Sequence, residues 1–398
     1  MQDYDVAIVG AGPVGLITAL GLAQSGARVA VLEALPAIPE SPRAMVYLWP
    51  VLPGLARVGI LQDAIAAGFT KQDYAYTVLA TGERITWDVK DLEGHTPFPF
   101  NLHLGQHALA GIALTHLRRH KGADIRFATR VAALAQDSTG VTLTTETNGE
   151  TQTLRAGWAI GADGARSTIR AAIATPFEGI TWPERFVATN VRFDFESIGH
   201  ARANMLVDPQ LGAILAKIDD SGLWRCTYCE DASLPEATVQ DRIPAYFQAI
   251  LPPGAPYELV QFAPYKMHQR AAATFRAGRV LLAGDAAHAT NPTGALGLAS
   301  GLFDSYVLHE ALAAVLAGAA DDSVLDRYAA ARRDVFLNIA SPRATENKRL
   351  VFHSADPARL ESDLAIFRRI ASDRNFRIER LLAARQLETP SLLEQGSF

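Results

Sequence analysis

Tyr4-Asp5-Val6-Ala7-Ile8-Val9-Gly10-Ala11-Gly12-Pro13-Val14-Gly15 stands near the amino terminus, and Glu33 closes the unit that it begins. An apolar strand, Val6 to Val9, runs directly into a Gly-x-Gly-x-x-Gly turn. The spacing predicts a helix over Pro13 to Ser25, ended by Gly26 where a left-handed residue is needed. A second strand, Arg28 to Leu32, then delivers Glu33. Each part has a mechanical reason. Gly10 permits the tight turn, Gly12 lets a pyrophosphate approach the backbone, and Gly15 lets the helix lie close on the strand. The free N–H groups of the helix, headed by Pro13, suit phosphates, and Glu33 suits the hydroxyls of an adenosine ribose. A glutamate there argues against a 2′-phosphate, which leaves FAD or NAD rather than NADP.

With 398 residues the chain can bury a sizeable core and hold two closely connected domains. A net charge of −5, without a basic run, gives no reason to expect nucleic-acid binding. The first strand begins almost at the first residue, and the longest apolar run, Ala311 to Ala320, is about half a membrane span. A cytoplasmic location with no membrane contact is the expectation. The two cysteines, Cys226 and Cys229, have CxxC spacing but fall on a candidate strand, which points them to opposite faces. They read as reduced thiols, and no metal site is expected.

The fold class read from the pattern is α/β. A Rossmann-like dinucleotide domain (1–72, 101–175 and 276–320) carries an inserted mixed β-sheet domain (73–100 and 176–275), and helices follow at 321–398. Tyr74 to Leu79 and Arg84 to Asp88 form a hairpin around Thr81-Gly82. Ile125–Ala128, Val131–Ala135, Val141–Thr147 and Gln152–Arg155 read as a meander, with Trp158–Gly161 returning as a separate buried strand. The insert shows strands at Phe186–Phe195, Ala213–Ile218, Trp224–Tyr228 and Tyr257–Tyr265, broken by a helix over Val239–Leu251. Arg279–Ala283 re-enters the first domain ahead of a long helix. Beyond Ser323 the charged spacing of Arg327, Arg332, Arg333 and Asp334 reads as a solvated face.

Two further glycine-acid junctions follow buried strands. One is Gly161-Ala162-Asp163-Gly164-Ala165-Arg166-Ser167-Thr168-Ile169-Arg170. The other is Gly284-Asp285-Ala286-Ala287-His288, followed by Asn291-Pro292-Thr293-Gly294 and Gly297. Singly, Asp163 reads as a helix cap and Asp285 as a turn residue. Together the three junctions resemble the single-component FAD-dependent aromatic hydroxylases of the p-hydroxybenzoate hydroxylase type, over residues 1 to about 320. The run Tyr265 to Asp285 is most similar to the phenol and hydroxyphenylpropionate hydroxylase branch.

That resemblance implies roles. Gly10, Gly12, Pro13, Gly15, Glu33 and Val131 would hold the ADP half of FAD, with Arg43 and Gln106 beside the cofactor. Asp163 would serve FAD and the passing nicotinamide, and Gly284-Asp285 would take a ribityl hydroxyl. Pro292, Gly297 and Leu298 would border the isoalloxazine and the substrate. His288 would position its turn rather than act as a base. The family usually reads Gly-Gly-Gln-Gly-Met-Asn where this chain has Gly294-Ala295-Leu296-Gly297-Leu298-Ala299, so the Asn amide near the flavin is missing.

A single Gly-x-Gly-x-x-Gly leaves no second fold for a stored nicotinamide, so NAD(P)H is expected to be a transient co-substrate. The resemblance implies an oxidoreductase in which reduced FAD and O2 form a C4a-hydroperoxide. Its electrophilic oxygen would hydroxylate a small phenolic or N-heteroaromatic substrate. His268, Tyr265 and Tyr228 are the candidate bases, with Pro292 beside the reacting centre. Arg192 and Arg225 could meet a substrate carboxylate, although a surface guanidinium is the simpler reading of each. The alternatives are a flavin-dependent reductase or halogenase on the same scaffold, or a non-catalytic flavin-binding protein. The Trp-x-Trp-x-Ile-Pro segment of halogenases is absent. The oligomeric state is left open, a homodimer included.

Overall fold

The computed structural model describes residues 3–40, 44–219 and 221–393. Its first layer is a sheet in the order Arg276–Ala277, Val280–Leu282, Glu150–Gly161, Tyr4–Val9, Val29–Leu32, Ala123–Arg126. The four strands from Val280–Leu282 to Val29–Leu32, with Ala123–Arg126, pair in parallel, so their loops leave at one edge. Val6, Ala7, Ile8, Val29, Ala30, Val31, Ala159, Ile160, Leu281 and Leu282 are all fully buried. Apolar runs buried on both faces are what a parallel sheet requires. The helices Pro13–Gln24 and Leu296–Leu316 pack against one another across Thr18 Oγ1 and Ser305 Oγ, 2.9 Å apart.

The second sheet runs His288–Ala289, Glu258–Ala272, Phe177–Arg192, Leu223–Asp231, Ala213–Lys217, Ala203–Val207, Asp73–Val78, Glu83–Asp88. The helix Val239–Ile250 covers one face through Val187, Val191, Trp224, Cys226, Tyr228, Tyr246 and Phe247. The helices Ser341–Phe352 and Pro357–Ser372 cover part of the other, meeting Tyr76, Ile85, Phe186 and Met267. A small sheet of Val46–Tyr47, Asn101–His103 and Phe69–Lys71 lies at the seam, where His103 Nδ1 donates to the Lys217 carbonyl at 2.8 Å. Cys226 and Cys229 are both free and lie in packing clusters on opposite faces of their strand.

Several expectations need correction. Ala123–Arg126 does not join the meander but extends the parallel sheet beside Val29–Leu32. Gln152–Arg155 and Trp158–Gly161 are one strand, Glu150–Gly161, antiparallel to Gly140–Thr147 in its first half and parallel to Tyr4–Val9 in its second. Gly157 does not break it, because partners on both sides hold the backbone extended. The strand expected from Phe186 begins at Phe177; its Pro183 falls inside the register shift between Thr181 and Arg185, where a missing N–H costs no ladder bond. Ala203–Val207 is a strand that the sequence reading did not contain. The tail is not a solvated face throughout, since Arg332 and Lys348 are fully buried. Among the described residues no helix is long and apolar enough to cross a membrane.

Candidate active site

The three glycine-acid junctions converge at the carboxyl edge of the parallel sheet. Gly10 has φ +107°, and a Cβ on it would lie 2.3 Å from the Ala162 carbonyl oxygen, so the first turn and the second motif touch through bare backbone. No side chain caps the helix Pro13–Gln24 and its first turn holds no acid; a Cβ on Gly12 would meet no neighbour. Free N–H groups and open space there fit a pyrophosphate. Glu33 accepts from Ala11 N–H at 2.8 Å and Leu35 N–H at 2.9 Å, which fixes its carboxylate beside the glycine turn. Val131 is buried on the neighbouring strand, where Thr129 N–H donates to the Glu33 carbonyl at 2.8 Å. Gln106 begins the helix Gln106–Leu117, its N–H on the Ala44 carbonyl at 3.2 Å. Arg43 lies outside the described residues.

Asp163 accepts from the Ser167 hydroxyl and from the N–H groups of Thr168 (2.7 Å) and Ile169 (3.3 Å). It therefore does cap the short helix Thr168–Ala172. Burial pushes its carboxyl above the usual range, against the lowering effect of these hydrogen bonds. Arg170 ties this motif to the third, donating to the Ala165 carbonyl at 2.6 Å and the Ala286 carbonyl at 2.9 Å.

In the third motif Gly284 is left-handed at φ +59°, and Asp285 is exposed at the turn. Asp304, fully buried on the helix Leu296–Leu316, accepts from Gly284 N–H at 2.9 Å, His288 Nε2 at 2.6 Å and Arg332 Nε at 2.8 Å. Burial pushes its carboxyl up, but the charges and hydrogen bonds of His288 and Arg332 outweigh burial and hold it below the ordinary carboxylate range. Pro292, Gly297 and Leu298 are half-buried in the loop and first turn that follow, and Ala295 enters the helix at φ +60°. Ala299 packs into the core at 3% exposure, so the core takes up the position of the family's amide.

The sheet face is decided by alternation. Phe186 pairs with Tyr265 and Cys229, and Asn190 with Arg225 and Gln261, so Tyr265 and Arg225 share the face away from the helix Val239–Ile250. Tyr228 lies on the helix-covered face, stacked on Tyr246 with ring centroids 3.7 Å apart. The structure does not bring it to Tyr265 and His268. His268 is on the half of its strand that leads toward the pairing with His288–Ala289, ahead of the Pro292 loop. Thr181 Oγ1 accepts from Arg270 at 3.0 Å and lies 2.9 Å from His268 Nδ1, so its hydroxyl proton goes to the imidazole. Burial and the cations Arg270, Arg166 and Lys266 lower the His268 pKa, favouring a neutral ring.

Arg225 is not a surface group: it is 9% exposed, and its Nε donates to Asn190 Oδ1 at 2.9 Å. Burial lowers its pKa to about 10, while the nearby Tyr265 raises it. Arg192 is exposed and donates to Ser221 Oγ at 2.9 Å. Helices were expected over 321–398, but not that one of them, Ser341–Phe352, reaches the site. Gln269 bonds Ser341, Thr290 and Asn291, Asn347 Nδ2 reaches the Thr293 carbonyl at 3.4 Å, and Lys348 Nζ meets Glu184 at 3.1 Å. This helix therefore caps the loop that holds Thr290 to Thr293. The polar run Thr345 to Arg349 gave no sign of that role.

A doubly wound sheet with a glycine turn, two further acid-bearing turns and an inserted sheet defines a dinucleotide-binding flavoprotein architecture. The chain matches the family model described as FAD binding domain over residues 3–341 and belongs to that family. It is 45% identical to the 6-hydroxy-3-succinoylpyridine 3-monooxygenase HspB of Pseudomonas putida (strain DSM 28022 / S16), over 87% of this chain and 89% of that one. It is 45% identical to the para-nitrophenol 4-monooxygenase of Pseudomonas sp. (strain WBC-3), over 99% of both. The crystal structure of the p-nitrophenol 4-monooxygenase PnpA from Pseudomonas putida DLL-E4 superposes with a TM-score of 0.94 at 42% identity, covering 98% of this chain and 100% of that one. An aklavinone-11 hydroxylase solved with FAD and aklavinone gives a TM-score of 0.80 at 28% identity, over 89% of this chain and 70% of that one.

Proposed function

We propose that this protein is an FAD-dependent monooxygenase that uses NAD(P)H and O2 to hydroxylate a small phenolic or N-heteroaromatic compound. The observation that carries the reading is the match along nearly the whole chain to a p-nitrophenol 4-monooxygenase, in sequence and in fold, on a chain with an intact dinucleotide cradle. The chemistry that FAD would supply when bound is acceptance of a hydride from NAD(P)H and activation of O2 for insertion into an electron-rich ring. Gly10, Gly12, Glu33 and Val131 hold its adenosine and pyrophosphate, Asp285 its ribityl chain, and the Pro292–Leu298 backbone the ring system.

The chain's own residues do the rest. The substrate lies between the flavin loop and the sheet face that bears Tyr265 and Arg225, with the helix Ser341–Phe352 excluding water from above. Arg225, turned by Asn190, holds an electron-withdrawing or acidic substituent such as a nitro group or carboxylate. Tyr265, beside Arg225 on that face, is placed to relay a phenolic proton, directly or through water, whereas neutral His268 accepts from Thr181 at Nδ1 and so carries its own proton on Nε2. The test is NAD(P)H oxidation by the FAD-loaded protein in air, with and without nitrophenols and hydroxypyridines, products and H2O2 being quantified together. A ligand-stimulated rate with an oxygenated product supports the reading. Bound flavin that NAD(P)H fails to reduce with every ligand in the panel contradicts it.

A further inference from the structure

The Asp304 network reaches further than the turn it braces. Arg332, on the helix Ser323–Val335, joins Asp304 Oδ1 to the Ser300 carbonyl at 3.2 Å, the Leu387 carbonyl at 2.8 Å and Thr389 Oγ1 at 2.9 Å. The segment around Leu387 and Leu392 is itself packed into the core of the first domain, with Ser391 Oγ on Glu310 at 2.9 Å. One carboxylate thus connects a C-terminal strap, more than eighty residues away in sequence, to the N–H of Gly284. That N–H immediately precedes Asp285, and the helix bearing Asp304 approaches the same turn closely. A Cβ on Gly301 would lie 3.1 Å from Gly284 Cα. The Val14 side chain wedges against both glycines, 2.9 Å from the same Gly301 Cβ position, so helix and turn are in direct contact and the polar pin fixes where the turn sits.

We propose that Asp304 and Arg332 are positioning residues for the flavin. They lock the Gly284–Asp285 turn into its ligand-holding conformation and make FAD retention depend on the C-terminal strap at Leu387–Thr389. The proposal rests on the reading that Asp285 contacts the ribityl chain. Neither residue touches the cofactor; each acts through the Gly284 N–H. Asp304 has two oxygens and three donors facing them, so an amide in its place sets one N–H against another, either toward Gly284 and His288 or toward Arg332.

The test is FAD affinity of the apoprotein, read by quenching of flavin fluorescence on binding, with the anisotropy of bound flavin and the thermal midpoint of the apoprotein measured alongside. Asp285→Asn establishes whether the turn holds FAD. Asp304→Asn is expected to raise the FAD dissociation constant at least tenfold, and Arg332→Lys and Thr389→Val severalfold. Each lowers anisotropy, while Thr389→Val leaves the apoprotein midpoint within about a degree. Thr389→Val and Arg332→Lys keep the test open if Asp304→Asn does not fold. An unchanged affinity in the strap variants, with Asp285→Asn impaired, overturns the coupling alone. An unchanged affinity in Asp285→Asn overturns the reading of the turn, and the coupling with it.

Discussion

Replacing His103 by Asn should flatten the acid sensitivity of the seam between the flavin domain and the β-sheet domain. His103 is fully buried, and its Nδ1 must carry the proton because its partner is a carbonyl, at 2.8 Å. Its Nε2 is buried with no hydrogen-bond partner. Burial, with Lys71 and Arg202 nearby, lowers the pKa from 6.5 to about 3 against the opposing effect of the Lys217 carbonyl. A depressed histidine contributes stability that is complete above the unfolded value and is lost as pH falls toward the folded one, since the unfolded chain binds the extra proton. Each pKa unit is worth about 1.4 kcal/mol, so going from pH 7.5 to 5 removes about 2 kcal/mol through this group alone. Asn can still donate to the Lys217 carbonyl and has nothing to titrate. Urea titrations of both proteins at the two pH values, followed by tryptophan fluorescence, give the difference of differences. A variant losing about 2 kcal/mol less than the parent is expected; equal losses would refute the argument.

Three further outcomes are expected. Gly10→Ala places a methyl 2.3 Å from the Ala162 carbonyl on a backbone at φ +107°. Left-handed strain of about 1–2 kcal/mol is then only part of the cost, and FAD affinity, read by equilibrium dialysis, should fall by more than about tenfold. Arg225→Met removes a charge-assisted hydrogen bond of about 1.5–3 kcal/mol, so the dissociation constant for a nitrophenol or carboxylated substrate should rise about 10- to 150-fold in a flavin-absorbance titration. An unsubstituted phenol should bind the variant about as before. Lys71 is buried without a hydrogen-bond partner, and burial lowers its pKa from 10.5 to about 7. The unfolded chain holds that proton up to about pH 10, so this group makes stability rise between pH 7 and 10; Lys71→Met should remove that rise in thermal melts.

The legible part of this fold was local. The Gly10–Glu33 unit and the two later acid-bearing turns are written in contiguous residues, and the sheet beneath them is a set of apolar runs. The hidden part depended on distant partners. Ala203–Val207 conceals a strand because it contains Asn204, which is 1% exposed and bonded to Thr77 and His200. Arg332 and Lys348 look like solvent-facing charges until Asp304 and Glu184, 28 and 164 residues away, are placed beside them. The same holds at the site. Asp163 was legible as a helix cap and Asp285 as a turn residue, whereas Asp304, which braces the Gly284 turn from 20 residues away, was not. Tyr228 and Tyr265 looked equivalent in sequence; strand register, which a one-residue slip would invert, puts them on opposite faces.

The central claim, insertion of one oxygen atom from O2 into an aromatic ring, is tested most directly by isotope. Purified FAD-loaded protein is supplied with NAD(P)H, 18O2 and the ligand that most stimulates oxidation, and the product is weighed by mass spectrometry. One 18O atom per product molecule, matched to one NAD(P)H consumed, is the predicted result. Product without label, or label found only in hydrogen peroxide, would contradict a monooxygenase acting on that ring.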